Sequence, residues 1–357
     1  MHTPSSFSRR TALACAAAAV GSLAVSSWAR LVDGSSPLAS LLNLTDRAEA
    51  GMMPEGSHAT VATAQPPIST RSNFHAVYDD LRARDRFFLF LQNVYHLYPE
   101  SPFHQLIIDA TGEFRSDQDI YRTLQERLAG IKPFLSEVTY GLPALKKQKA
   151  EMARQTADLL GNTRRLSGYV EIGTTGRYAN ELRKLIPIDG PLYIVNDLEP
   201  GFSPNDIAER GQLTTLGEYV PMGDYDPFDD NLIPSESVDL VSNFIGFHHA
   251  PKEKRARFIE AAWRVLRPGG RLVVRDHDVD SPEMEAFVAL AHDVFNAGLH
   301  ISWADNAAQV RNFTSVPQLE QALGTVGFQK SNAIALQAHD PTKNTLMVFV
   351  KPGSRPL

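Results

Sequence analysis

The feature that most constrains the fold is an alternation of short apolar strands with helices after Gly161. The predicted strands are Tyr169–Ile172, Leu192–Asn196, a short one near Glu218–Val220, Val238–Ser242 and Leu272–Val274. The predicted helices between them are Tyr178–Ile186, Pro204–Arg210 and Lys252–Leu266. Such alternation implies right-handed crossovers, and it predicts an α/β fold with a parallel sheet that is covered by helices on both faces.

The end of the chain breaks this rhythm. Ser315 to Gln318 forms a capping-box pattern that opens a helix ending at Gly327. Two strands follow, Ala333–Gln337 and Leu346–Val350, and the link between them is too short for a parallel crossover. The last strand is therefore predicted to run antiparallel to the rest of the sheet.

The chain before this sheet is predicted to be helical. Apolar residues recur at helical spacing from Phe74, and Pro99 ends an aromatic-rich stretch. A capping-box-like start at Ser116 opens another helix, and a further helix ends at Gly161. We expect this region to form a helical cap over the sheet.

Several polar residues and glycines follow the predicted strands. Gly173 and Gly176 lie in the loop after the first strand, and glycines there let the backbone approach a ligand closely. Asp197 ends the second strand, Asp224 follows the third, and Asn243 follows the fourth. Because ligands of open α/β sheets bind beyond the carboxyl ends of the strands, these residues predict a binding site at that edge.

The same residues carry a family resemblance. Tyr169 to Gly176 resembles the first motif of class I S-adenosylmethionine-dependent methyltransferases, and residues 237–243, 248–249 and 264–270 are similar to the type 11 branch. The resemblance implies a Rossmann-like, seven-stranded, mostly parallel sheet, with Asp197 on the cofactor's ribose and Asp224 near its adenine amine. It implies S-adenosyl-L-methionine as cofactor, bound by Glu171, Gly173, Thr174, Gly176, Asp197, Asp224 and Asn243.

The resemblance has one departure. The family loop usually has a third glycine and one more residue, whereas this chain has Thr174 and Thr175. Threonine hydroxyls are able to bind the methionine carboxylate, but a shortened loop also fits a non-catalytic, ligand-binding domain of the same fold. A nicotinamide dehydrogenase is disfavoured, because the loop lacks the G-x-G-x-x-G spacing that a pyrophosphate requires.

Histidines near the same edge are candidates for catalysis. His249 follows the fourth strand and His277 the fifth, and we predict each as a base or as a hydrogen-bonding group for the substrate. No metal is predicted, because the adjacent His248 and His249 are expected to point in different directions.

The acceptor is predicted to be a small organic or lipid-like molecule. Aromatic residues in the helical region and in the insert 299–313 would supply an apolar pocket. The residues expected to line it are Tyr95, His96, Tyr98, Trp303 and Arg311.

Composition and charge limit the kinds of partner that the chain is expected to bind. The net charge of −6 and the lack of a basic stripe argue against nucleic acid. The single cysteine, Cys15, rules out structural disulfides and thiolate zinc sites in the body of the chain. The sequence contains no candidate transmembrane helix and no feature that indicates an oligomeric state.

The N-terminus resembles a twin-arginine (Tat) signal peptide. Arg9 and Arg10 precede an apolar run of about 15 residues, which is short for a membrane span. Export is therefore predicted, with a cytoplasmic enzyme carrying an apolar extension as the alternative. The predicted organisation is a signal peptide over 1–29, a disordered linker over 30–72, the helical cap over 73–163 and the methyltransferase domain over 164–352.

Overall fold

The computed structural model describes residues 72–95, 97–133 and 141–353. The predicted signal peptide, and the predicted linker apart from its last residue, lie outside the described residues. Among the described residues, no helix combines the length and the apolar character that crossing a bilayer requires.

Seven strands form one sheet in the order β3-β2-β1-β4-β5-β7-β6. Their bounds are β1 Tyr169–Ile172, β2 Leu192–Asn196, β3 Glu218–Pro221, β4 Val238–Asn243, β5 Leu266–His277, β6 Gln329–Leu336 and β7 Asn344–Val350. The pairs β3–β2, β2–β1, β1–β4 and β4–β5 are parallel. Strand β7 is antiparallel to both β5 and β6. The predicted sheet, including its reversed last strand, is confirmed.

Eleven α-helices accompany the sheet in the part of the chain that the structure describes. Before β1 they are α1 Asn73–Tyr78, α2 Leu81–Phe90, α3 Glu100–Glu113, α4 Asp117–Arg127 and α5 Leu142–Leu160. After β1 they are α6 Ala179–Leu182, α7 Pro204–Arg210, α8 Lys252–Val265, α9 Pro282–Gly298, α10 Trp303–Ala307 and α11 Val316–Val326. Short turns of other helical types lie at Leu91–Tyr95, Leu128–Gly130 and Phe247–His249.

The predicted caps begin and end the helices where the sequence places them. Ser116 accepts a hydrogen bond from the Asp119 amide at the start of α4. Ser315 and Gln318 form the reciprocal capping box of α11. Gly161 ends α5 with a φ of 61°, a backbone conformation that favours glycine.

Three predicted elements have different bounds in the structure, and one of them is β6, which begins at Gln329 and not at Ala333. The helix after β1 spans four residues as α6, much shorter than predicted. Strand β5 begins at Leu266, and the predicted Pro268–Gly270 turn is an irregularity within it, because the register with β4 shifts there.

Helices α1 to α4 pack into one apolar core with α9, whereas α5 packs in a separate core against the sheet. Phe87 and Phe103 of the N-terminal helices share this core with Phe287 and Phe295 of α9. Because α9 follows β5, its packing holds the helical region beside the carboxyl end of that strand. Helix α9 is not among the predicted helices.

Candidate functional site

The strand register brings the candidate cofactor residues to one edge. Ile172 at the end of β1 pairs with Val195 of β2 and with Asn243 of β4. Asn196 at the end of β2 pairs with Pro221 of β3. The loops after these strands therefore leave the sheet on the same side, as predicted.

Glu171 is fully buried, and its carboxylate is occupied within the protein. It accepts hydrogen bonds from the backbone amides of Tyr178 and Ala179, at 3.2 and 2.6 Å, and from the hydroxyls of Thr174 and Tyr169. Burial raises its pKa above the ordinary value, and these hydrogen bonds partly offset that rise. Glu171 therefore fixes the loop and the start of α6, and its carboxylate is not directed at a ligand.

The threonines of the loop are also used internally. The Thr174 hydroxyl donates to Glu171 and accepts from the amides of Gly176 and Arg177, both at 3.2 Å. The Thr175 hydroxyl donates to Glu209 at 3.3 Å. Both hydroxyls therefore hydrogen-bond within the protein and shape the shortened loop, and their use for a methionine carboxylate stays a prediction.

The two loop glycines are required by close packing. Gly173 has a φ of 82°, and a Cβ there would lie 2.2 Å from Cδ1 of Ile245. Gly176 has a φ of 92°, and a Cβ there would lie 3.1 Å from Cδ1 of Leu216. The loop thus turns directly beneath the segment that follows β4.

Asp197 and Asp224 meet at the ends of β2 and β3. The amide of Asp224 lies 3.4 Å from Oδ1 of Asp197, and Asp224 has a φ of 57°. The ammonium of Lys254 lies 3.6 Å from Asp224 and partly balances its charge. The two carboxylates predicted to bind the ribose and the adenine therefore share one partly exposed corner.

Two buried groups at this edge have no hydrogen-bond partner among the described residues. Asn243 is fully buried, and neither its amide nitrogen nor its oxygen is paired. The Tyr225 hydroxyl is buried and unpaired as well, and burial, followed by the charges of Asp197 and Asp276, raises its pKa. Unpaired buried polar atoms are costly, and they are typical of a site that a ligand completes.

The candidate catalytic histidines lie beside this edge. His249 is in the short helical turn after β4, and His277 is the last residue of β5. Burial, and secondly the charge of His248, lowers the pKa of His249 well below its usual range and that of His277 to about 3. A lowered pKa leaves both rings neutral but only weakly basic, which suits a hydrogen bond to the substrate better than proton abstraction.

The expectation that His248 and His249 diverge is wrong. Their ring centroids are 4.1 Å apart, and both rings lie near His292 of α9, with centroids 5.3 and 5.7 Å away. Sequence reasoning missed His292 along with its helix. Ser281 and Pro282 are a helix-start signal that would have indicated α9.

Most of the residues predicted to line an acceptor pocket instead contact other residues of the folded protein. Tyr95 is fully buried in the helical core, and the Tyr98 hydroxyl donates to the carbonyl of Gly298 at 3.2 Å. Trp303 packs edge-on against the ring of Tyr121. Arg311 pairs with the buried Asp293 at 2.7 Å, and His96 lies outside the described residues.

Comparison with known proteins supports the sequence resemblance. Residues 171–274 match the family model described as a methyltransferase domain. No curated protein matches the chain significantly in sequence.

Among solved structures, a Burkholderia thailandensis 1,6-didemethyltoxoflavin-N1-methyltransferase is 15% identical with a TM-score of 0.40, over 58% of this chain and 81% of that chain. Human N-acetylserotonin methyltransferase is 12% identical with a TM-score of 0.37, and the match covers 67% of this chain and 56% of that chain. A structure described as a possible exported protein from Bordetella parapertussis is 16% identical with a TM-score of 0.40, over 81% and 100%. The seven-stranded sheet thus has a Rossmann-like fold, and residues 171–274 within it are similar to the methyltransferase-domain family.

Proposed function

We propose that the chain binds S-adenosylmethionine at the carboxyl edge of β1, β2 and β4 and catalyses transfer of its methyl group to a small organic or lipid-like acceptor. The observation that carries this proposal is the methyltransferase-domain match over residues 171–274, which begins at Glu171 and includes Asp197, Asp224 and Asn243. The unpaired amide of Asn243 at the same edge supports it independently.

The residues present fit the cofactor at three positions. Asp197 and Asp224 would hold the ribose and adenine side, since carboxylates accept hydrogen bonds from hydroxyl and amino groups. Asn243 offers a donor and an acceptor that the folded chain leaves unsatisfied. Glu171 and Thr174 would act indirectly, by holding the loop of Gly173 in its tight conformation.

When bound, the cofactor supplies a methyl group already activated on a sulfonium. The protein's part is then to orient the acceptor and to exclude water. The helical region and α9 are placed to do this, because their shared core lies beside the carboxyl end of β5. The Nε2 atom of His277 has no hydrogen-bond partner among the described residues, so it would be able to orient an acceptor hydroxyl.

Calorimetry of the full chain with S-adenosylmethionine tests the proposal. We expect binding in the micromolar range that Asp197→Ala abolishes. Asp189→Ala is the matched control, because Asp189 lies before β2 at the opposite edge and its half-exposed carboxylate pairs with the exposed Arg165 at 2.9 Å. Absence of binding by the unaltered chain would overturn the proposal.

A second measurement separates catalysis from binding alone. Incubation with panels of phenols, nitrogen heterocycles and fatty acids should release S-adenosylhomocysteine with at least one class. Binding without release for any class would favour the alternative, a non-catalytic ligand-binding domain. That alternative is supported by the shortened loop and by the internal use of its threonines.

A further inference from the structure

Four buried histidines converge at the carboxyl ends of β4 and β5. His248 and His249 come from the turn after β4, His277 from the end of β5, and His292 from the middle of α9. The rings of His248 and His292 lie 5.5 and 5.6 Å from that of His277. Three separate elements thus bring four imidazoles to one place.

Each ring is held by one nitrogen. Nδ1 of His248 lies 2.6 Å from Asp276, that of His277 lies 3.0 Å from the Thr342 carbonyl, and that of His292 lies 2.8 Å from the Val288 carbonyl. The ring of His249 hydrogen-bonds to the backbone of Val310. Such contacts fix the tautomer and the orientation of an imidazole, as they do for histidines that bind metals.

The other nitrogen of each ring is unsatisfied. Nε2 of all four histidines is buried and has no hydrogen-bond partner among the described residues. Burying such an atom without a partner is energetically costly. Four of them in one cluster indicate that something other than the described chain completes their bonding.

The nearest cation is already paired. The Arg311 guanidinium lies 2.7 Å from the buried Asp293, which balances its charge.

We propose that His248, His249 and His292 bind a divalent first-row transition-metal ion through Nε2. One ring nitrogen from each of the three lies within 4.8 Å of the others. Tetrahedral ligands with bonds of about 2.1 Å stand roughly 3.4 Å apart, so small rotations of the side chains close the set around an ion. This inference does not depend on the proposed methyl transfer.

The donor set selects the kind of ion. Three imidazoles suit Zn²⁺, Cu²⁺, Ni²⁺ or Fe²⁺, whereas Mg²⁺ and Ca²⁺ require oxygen ligands. Asp276 does not supply one, because its carboxylate already accepts from His248 and from the amides of Phe247 and His277.

Three protein ligands leave at least one coordination position open. The Phe313 ring lies 5.1 Å from that of His248 and 5.3 Å from that of His292, so one side of the cluster is apolar. His277 stands on another side with its own Nε2 unpaired. The open position would take an oxygen donor such as a phenolate, alkoxide or carboxylate, which a metal ion polarises.

Titration of the full chain, freed of metal by chelation and without S-adenosylmethionine, tests the site. We expect one equivalent of Zn²⁺ to bind by calorimetry, and Co²⁺ to give the visible spectrum of a low-coordinate, nitrogen-ligated ion. His292→Gln and His249→Gln should each weaken binding more than about 100-fold. His339→Gln, at an exposed histidine between β6 and β7, should bind like the unaltered chain.

Three results would overturn the assignment. One is that Zn²⁺ fails to bind, and another is that His292→Gln and His249→Gln both bind normally. The third is that His277→Gln is as damaging as His292→Gln, which would make His277 a ligand. Melting of the metal-free variants shows whether they fold, and Asp197→Ala should keep full metal affinity whatever its effect on S-adenosylmethionine.

Discussion

Nδ1 of His248 lies 2.6 Å from Oδ1 of Asp276, and both side chains are almost completely buried. Burial alone would raise the pKa of Asp276, but the charge and hydrogen bond of His248 hold it below the ordinary value. Asp276 is therefore ionised at neutral pH and orients the His248 ring. It also accepts from the amide of Phe247, which ties the turn after β4 to the end of β5.

Asp276→Asn tests this positioning role. The variant keeps the size of the side chain and removes the charge, so His248 loses its orientation and basicity. We expect Zn²⁺ affinity to fall by about 10–100-fold, the range found when such supporting groups are removed from metal sites. Asp278→Asn is a nearby control that lies outside the cluster, and equal losses in the two variants would contradict the specific role of Asp276.

Gly173 and Ile245 are predicted to be energetically coupled. A methyl group at Gly173 meets Ile245 at 2.2 Å and sits on a backbone with a φ of 82°. Gly173→Ala should therefore cost about 2–5 kcal/mol of unfolding free energy, from overpacking and strain together. In an Ile245→Ala background the cost should fall by at least about 1 kcal/mol.

Gly112→Ala is the matched control for that measurement. A Cβ at Gly112 in α3 meets nothing within 4 Å, so alanine there should stabilise the helix by about 0.5–1 kcal/mol. Urea unfolding of Gly173→Ala, Ile245→Ala, the double variant and Gly112→Ala gives the unfolding free energies that the comparison requires. Equal costs of Gly173→Ala with and without Ile245 would show that the close contact has no energetic weight.

The sheet could be predicted because its strands are short apolar runs with clear boundaries. The bounds of β2 and α7 match the prediction to the residue. Helix α9 was missed although Ser281 and Pro282 mark its start. Its second half, from Leu290 to Gly298, is buried throughout, so the helix lacks the exposed polar face that is typical of a surface helix.

The position of the site at one edge of the sheet could be predicted from the sequence, but the hydrogen bonds of its residues could not. The alternation placed Glu171, Asp197 and Asn243 at one edge, and the structure agrees. That Glu171 is saturated by Thr174 and the start of α6 depends on how the loop folds, which spacing does not reveal. The histidine cluster depends on α9 crossing the ends of β4 and β5, a long-range contact with no local signature.

Lys149 should make the folded protein more stable as the pH rises above about 8. Its ammonium on α5 donates to the carbonyls of Ala208 and Glu209, and burial, with Arg177 as the second cause, lowers its pKa to about 8. Between this value and the unfolded pKa of about 10.4 the unfolded chain holds more protons, so stability rises with pH. The unfolding free energy should increase between pH 8 and about 10, by at most roughly 1.4 kcal/mol per unit.

Lys149→Met is the variant for this test, because it removes the titrating group and keeps the stem. The rise should disappear in Lys149→Met and persist in Lys147→Met, an exposed lysine of the same helix. Urea midpoints at closely spaced pH values check the slope. A fall in stability of the unaltered chain over this range would contradict the predicted sign.

The twin arginines are predicted to direct export. A reporter fused after residue 72 should reach the outside of the cytoplasmic membrane, and Arg9→Lys with Arg10→Lys should stop it. Arg47→Lys with Arg71→Lys is a control of equal size in the predicted linker. Retention of the unaltered fusion in the cytoplasm would favour the cytoplasmic alternative, in which S-adenosylmethionine is at hand.

Replacing Tyr225 is expected to affect ligand binding and stability in opposite ways. Its hydroxyl is buried without a partner, while its ring packs at 5.0 Å against Phe258. Tyr225→Phe should therefore leave the unfolding free energy unchanged or raise it by about 1 kcal/mol, because an unsatisfied group is removed. Tyr169→Phe, which deletes a hydroxyl bonded to Ser242 at 2.6 Å, should lower it by about 1–2 kcal/mol. If the Tyr225 hydroxyl serves a ligand beside Asp197, S-adenosylmethionine affinity must nevertheless fall in Tyr225→Phe. A destabilised Tyr225→Phe with normal affinity would instead show that the hydroxyl supports the fold.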